Sequence, residues 1–205
     1  VWAWKGHRRF QMAKRIDELG VIFPFEVDVF KDTQLETHFV GHPFLDKRYV
    51  SNLEYDPSGA ILLLSGSRIQ PVKRIFPMIL EGVLQYQKRY DKGHDMVFST
   101  IVPNEKIKAE VESIAARMDF PIRIHSHAEK VKARAVITSS GTMSLDCALA
   151  GIPGILVYRA HPLTYWMGKY LVKIAYLGIA NLILDKEMYP EFIQRLDLPY
   201  FLPPI

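Results

Sequence analysis

The sequence predicts an α/β fold built on a doubly wound parallel sheet. Three observations predict it. Short apolar runs such as residues 60–64 (Ala-Ile-Leu-Leu-Leu) have the pattern of strands buried on both faces. Longer amphipathic stretches separate them, and the two types alternate through most of the chain. The composition agrees: 205 residues, 49% hydrophobic and 23% charged, suit one large core-forming domain or one and a half smaller ones. That balance excludes a disordered tail, a collagen-like chain and a disulfide mini-protein. The single cysteine, Cys147, allows neither an internal bridge nor a Cys-based metal site and fits a reducing compartment. A net charge of +4, from 26 Lys and Arg against 22 Asp and Glu, favours anionic partners but is no nucleic-acid signature.

Residues 6–19 carry Phe10, Ala13, Ile16 and Leu19 at three-residue steps among Arg8, Arg9, Lys14 and Arg15, which predicts an amphipathic helix closed by Gly20. A brief strand over 21–25, a short helix over 26–31 and a strand over 38–40 follow, the last ending in Gly41-His42-Pro43. The charged Asp46-Lys47-Arg48 and the polar Asp56-Pro57-Ser58-Gly59 then mark a boundary or hinge. Beyond it the strands are 60–64, 96–101, 121–125, 135–138 and 154–158. The helices between and after them are 71–90, one led by Pro103 to Met118, a short one over 128–133, 141–150 with Gly151 as its stop, and 163–175. A last helix is expected over 186–196. No 18-residue apolar run occurs, and the opening Val1-Trp2-Ala3-Trp4-Lys5 shows no signal-peptide pattern, so the chain reads as a piece of a longer one.

Ligands of open parallel sheets bind beyond the carboxyl ends of the strands. Two turns there carry the chemistry. In Ser65-Gly66-Ser67-Arg68, Gly66 lets the backbone approach a ligand, Ser67 offers a hydroxyl and Arg68 a planar fork suited to phosphate. An ordinary turn with a solvated arginine is the plainer alternative. In Ser139-Ser140-Gly141-Thr142, the free amides and positive end of the following helix form an anion site; N-capping by Ser139 or Ser140 is the plainer role. Asp146, four residues beyond Thr142, lies one turn along the same face, placed to accept from sugar hydroxyls or simply to complement the helix dipole. No Gly-x-Gly-x-x-Gly or Walker sequence occurs, and His125-x-His127 has no third metal ligand at useful spacing.

Taken in order, several short motifs resemble lipid-A-disaccharide synthases. They are Val1-Trp2-Ala3-Trp4-Lys5, Phe23-Pro24-Phe25-Glu26, Gly41-His42-Pro43, Gly66-Ser67-Arg68, Ser140-Gly141-Thr142, Tyr158-Arg159 through Trp166, Leu171-Val172-Lys173 and Asn181-Leu182. The resemblance implies a GT-B glycosyltransferase with two Rossmann-like halves. Residues 1–45 would end the acceptor-side half, 46–185 would form the nucleotide-sugar half, and 186–205 a helix crossing back. It implies metal-free, cofactor-free inverting transfer of 2,3-diacylglucosamine from its UDP donor to 2,3-diacylglucosamine 1-phosphate. Gly66, Ser67, Arg68, Ser140, Gly141, Thr142, Asp146 and Asn181 would bind substrate, while the family's candidate base falls upstream of Val1. Asp146 and Pro71 depart from the pattern, since such enzymes generally carry Glu at both places. The lipid substrates imply cytoplasmic protein at the inner-membrane surface, with Tyr165, Trp166, Lys169, Tyr170 and Lys173 offered to anionic lipid. Two other readings compete: a different GT-B enzyme using UDP-GlcNAc (an epimerase or a peptidoglycan GlcNAc transferase), and a non-catalytic UDP-sugar-binding module.

Overall fold

Leu62 and Leu63 are wholly inaccessible to solvent although they are neighbours on one strand. Successive side chains point to opposite faces, so both faces of that strand must be covered. In the computed structural model, which describes residues 6–90, 96–139, 141–159 and 176–193, they are. The main sheet has six parallel strands. These are β3 (Leu53–Leu64), β4 (Phe98–Val102), β5 (Arg123–Ser126), β6 (Val131–Thr138), β7 (Gly154–Tyr158) and β8 (Glu191–Ile193), in the order β5-β4-β3-β6-β7-β8.

Ile61 and Leu63 face a core built with α3 (Ile69–Tyr90) and α4 (Glu105–Arg117), where Val72, Ile75, Phe76 and Ile79 recur at helical spacing. Leu62 and Leu64 face the opposite core, with Cys147 of α5 (Thr142–Leu149), Ile152 and Tyr189. The sheet is therefore doubly wound, as the strand pattern predicts. Asn104 caps α4, its side-chain oxygen accepting from the Ile107 amide at 3.0 Å. The preceding segment holds α1 (Arg8–Met12), β1 (Glu18–Val21), α2 (Glu26–Val29) and β2 (Glu36–Phe39), with β1 and β2 forming a two-stranded parallel sheet. A further helix, α6 (Ile179–Leu184), lies between β7 and β8.

The strand expected over 21–25 lies earlier, at 18–21, with residues 22–25 in bends and a turn, and four further elements differ from expectation. The helix expected over 6–19 shortens to α1, because residues 18–21 pair with β2. Gly20 lies opposite His38 in that ladder, where a Cβ would come 3.2 Å from Val40 Cγ1; close packing, not helix termination, uses this glycine. The polar stretch 56–59, expected at a boundary, is an irregularity inside β3: the register against β6 shifts between Tyr55 and Ala60, and a Cβ on Gly59 would lie 2.8 Å from the backbone of Lys132 and Ala133. Residues 131–133, expected in a short helix, begin β6. Their burial alternates Val131 in, Lys132 out, Ala133 in, and Val131 pairs with Leu53. The last helix, expected over 186–196, is not formed in residues 186–193; Pro190 has no N–H for a helical bond, and β8 begins directly after it. Residues 194–205, the helix expected over 163–175 with its aromatic and Lys residues, and Ser140 lie outside the described residues.

The sheet is tight where β7 enters it. A Cβ on Gly154 would overlap the Val136 carbonyl oxygen and its Cγ1. Gly154→Ala must push two central strands apart and is expected to lower unfolding free energy by about 1–3 kcal/mol, measured as a fall in the urea midpoint with unchanged m-value.

Candidate functional site

The register of β3 on β6 pairs Leu64 with Thr138, so both strands end at one level. Just beyond, the Ser139 amide donates to the Leu64 carbonyl at 2.8 Å, holding the two following turns together. Gly66 adopts φ +112°, a conformation that favours glycine. A Cβ there would sit 3.5 Å from Ser139 Oγ and 3.5 Å from Pro71 Cβ, so the two turns touch. Gly66, Ser67 and Arg68 are exposed. Among the described residues, the Arg68 guanidinium enters no hydrogen bond or ion pair; the Arg68 carbonyl accepts from the Val72 amide at 3.1 Å as α3 begins.

The second turn leads into α5, whose N-cap is Gly141. Its glycine N-cap supplies no side-chain cap, and among the described residues Ser139 does not take the capping role considered from sequence; Ser140, the other candidate, lies outside them. Gly141 has φ +148°, and a Cβ on it would meet nothing within 4 Å: the space before the helix is open. The Ser144 hydroxyl donates back to the Gly141 carbonyl at 2.6 Å, which leaves the first-turn amides uncovered by that side chain. The open space beside Gly141 and the positive end of the α5 dipole suit an anion. Thr142 is exposed on this turn.

Asp146 follows on α5 at 4% exposure, and among the described residues its buried Oδ1 has no hydrogen-bond partner. A buried carboxylate oxygen left unpaired costs about 1–3 kcal/mol. The Tyr49 phenol lies beside this carboxylate, and burial, followed by the interaction with Asp146, pushes its pKa up to about 12. Burial, with the Asp146 charge second, pushes the Cys147 thiol to about 12, so the thiol stays protonated and packs as a small core group.

Asn181 is placed differently. It is wholly buried on α6, and its amide is fully used. Nδ2 donates to the Tyr189 carbonyl at 2.7 Å and to Glu191 Oε1 at 2.8 Å. Oδ1 accepts from the Met188 and Tyr189 amides, both at 2.9 Å. With both protons and both lone-pair directions engaged, it has no position left for a ligand. Glu191 completes the clamp by accepting from the Leu177 and Gly178 amides at 2.8 and 2.9 Å. His125 pairs with Glu129 Oε2 at 3.0 Å; the Ser126 amide, followed by His125, lowers Glu129 to about 2. Among the described residues, no group of three metal-binding side chains converges.

The structure thus gathers Gly66, Ser67, Arg68, Gly141 and Thr142 around two touching turns and sets Asp146 on the helix behind them. Tyr49 and Ser139 join them. Tyr49 is hidden in sequence by the charged stretch 46–48, and its only signal is an aromatic ring in an otherwise polar link.

The family described as lipid-A-disaccharide synthetase matches residues 1–197. The lipid-A-disaccharide synthase of Geobacter sulfurreducens is 30% identical over 95% of this chain and 53% of its own length. That of Aquifex aeolicus is 32% identical over 95% of this chain and 54% of its own. Lipid-A-disaccharide synthase 1 of Legionella pneumophila strain Paris is 34% identical, with 95% and 53% covered. The chain spans about half the length of the curated relatives it matches. Among solved structures, the pneumococcal O-GlcNAc transferase GtfA in complex with UDP and GlcNAc superposes with a TM-score of 0.47. It is 13% identical, covering 76% of this chain and 32% of that chain.

The Asn181 clamp yields a stability prediction. Asn181→Ala strands two amides and a carbonyl and removes one of the donors to Glu191 Oε1, and is expected to lower unfolding free energy by roughly 2–4 kcal/mol, read by denaturant unfolding.

Proposed function

The chain belongs to the lipid-A-disaccharide synthetase family, and from that premise we propose that it supplies the nucleotide-sugar-binding half of an inverting glycosyltransferase. Residues 46–185 are the UDP-binding half and residues 1–45 the end of the acceptor-side half. The whole enzyme transfers 2,3-diacylglucosamine from its UDP donor to 2,3-diacylglucosamine 1-phosphate, working peripherally at a membrane surface. Among the described residues, no helix is long and apolar enough to cross a membrane.

The observation that supports this reading is the contact between the two turns, tied by the Ser139–Leu64 hydrogen bond. When the acceptor hydroxyl attacks the anomeric carbon, the bond to the diphosphate oxygen breaks and negative charge grows on the departing UDP. Fixed donors aimed at that charge lower the barrier most effectively. The amides at Gly141 and Thr142 supply them without side-chain reorganisation, and Arg68 adds a planar guanidinium free to form two parallel bonds. Ser67 contributes a hydroxyl from the same turn. Asp146, with one oxygen unpartnered, accepts from the ribose hydroxyls, while Asn181 positions the β7–β8 connection rather than touching substrate.

The test is calorimetry with UDP. Arg68→Ala is expected to weaken binding by about 1.5–3 kcal/mol, roughly ten- to 150-fold, as a charge-assisted phosphate contact is lost. Equal affinity in wild type and variant would remove Arg68 from the diphosphate site.

A further inference from the structure

Gly41-His42-Pro43 takes no part in the two turns, yet its histidine is fixed from several sides. Pro43 opens a single 3-10 turn, Pro43–Leu45, and has no N–H of its own, so Phe44 carries the first free amide. His42 captures it: Nδ1 accepts from that amide at 3.1 Å. The ring is also held by its faces and edge. It stacks on Phe23 with centroids 5.5 Å apart and meets Phe44 edge-on at 4.5 Å. Phe23 lies in a buried cluster with Leu145 of α5 and Ala180 of α6, and Phe44 packs against the same cluster. Leu145 stands three residues beyond Thr142 on one face of α5, about 5 Å along the axis. The imidazole is thereby docked beside the helix whose N-terminus forms the second turn.

This geometry decides what the ring can do. With Nδ1 accepting an amide proton, the neutral imidazole carries its hydrogen on Nε2, so its far end is a donor and not a base. His42 is 8% exposed, and among the described residues its Nε2 meets no partner. The side-chain atoms there that are sealed from solvent without a partner are Ser99 Oγ, Arg134 Nε and Asp146 Oδ1. His42 Nε2 is not one of them, so the hydrogen it carries stays reachable from outside. We propose that His42 is a sugar-binding residue: its Nε2–H donates to an oxygen of the hexose carried by a bound nucleoside diphosphate. This rests on the nucleotide-sugar reading above. In that reading the diphosphate lies at Arg68 and the amides of Gly141 and Thr142, and the hexose must face the acceptor-side segment, from which attack comes. His42 belongs to that segment and is docked on α5 through Phe23 and Phe44. A neutral N–H fixed in direction selects a hydroxyl or carbonyl oxygen without adding charge to the site.

The experiment measures binding of UDP and of UDP-GlcNAc to the full 205-residue chain and reads the ratio of the two affinities. His42→Asn keeps an acceptor for the Phe44 amide and loses the far donor. It is expected to weaken UDP-GlcNAc about three- to tenfold, as one hydrogen bond is lost, and to leave UDP unchanged. His42→Gln makes the opposite exchange, placing an N–H near the Nε2 position without the cap. It is expected to retain more UDP-GlcNAc affinity than His42→Asn while unfolding at lower denaturant. A merely structural role reverses that order, because the variant that keeps the cap would then bind better. If neither variant folds, side-chain NMR of wild type supplies the readout. The Nε2 resonance of the histidine in contact with Phe23 and Phe44 is expected to move on adding UDP-GlcNAc and to stay in place with UDP. A resonance that UDP-GlcNAc leaves in place overturns the hexose contact. So does an unchanged affinity ratio in His42→Asn, an equal weakening of both ligands, or wild type that binds UDP and not UDP-GlcNAc; each leaves the UDP site standing. If wild type binds neither ligand, the nucleotide reading fails and the His42 proposal fails with it.

Discussion

The register between two adjacent parallel strands brings the two candidate binding turns together. With Leu64 opposite Thr138, β3 and β6 end together, and the Ser139 amide bonds to the Leu64 carbonyl immediately beyond. The chain then diverges: α3 covers one face of the sheet and α5 the other. Such a departure to opposite faces marks the strand ends where ligands of open parallel sheets collect. A register slip would separate Gly66 from Ser139 and bury or expose the wrong side chains throughout β3. The side chains of the site matter only because this pairing sets them side by side.

Much of the sheet was legible because its strands are apolar on both faces. Residues 61–64 and 154–158 have no polar alternation to confuse, and only strands between two layers of helices need such a pattern. The errors share a cause: local signals that tertiary pairing overrides. Gly20 and Gly59 read as punctuation, yet each permits a close backbone approach within a ladder. Residues 131–133 carry Lys and Ala, which suit a helix, but Val131 and Ala133 fill the core opposite Leu53 and Tyr55. Tyr189-Pro190 was the missed stop signal. Proline ends the expected helix, and the Tyr189 hydroxyl bonds to the Ile152 carbonyl, drawing the segment into the sheet's second core.

The site was legible to a different depth. Glycine and a cationic or hydroxyl residue just after a buried strand point to a binding turn, and Gly66 and Gly141 both adopt the positive φ that such turns use. Residue type says nothing about whether a polar group is already satisfied. Asn181 and Asp146 are both polar, both buried and both on helices, so sequence alone does not separate them. Their partners do: every position on the Asn181 amide is filled from its own segment, while one oxygen of Asp146 has none. The first is satisfied within its own segment; the second leaves one buried oxygen unsatisfied among the described residues.

That difference carries an energetic consequence. Leaving Asp146 Oδ1 without a partner destabilises the unliganded fold by an amount comparable with one good hydrogen bond, about 1–3 kcal/mol. A core residue would not tolerate this when a leucine of similar volume could replace it. A hydroxyl donating to the oxygen would offset that penalty. The carboxylate lies one turn behind the helix terminus. On the proposed function, a phosphate would suit the terminus and a sugar hydroxyl the acid, and a nucleoside diphosphate carries both. The sheet register, the helix end and the partnerless oxygen are three separate features that meet at the carboxyl ends of β3 and β6.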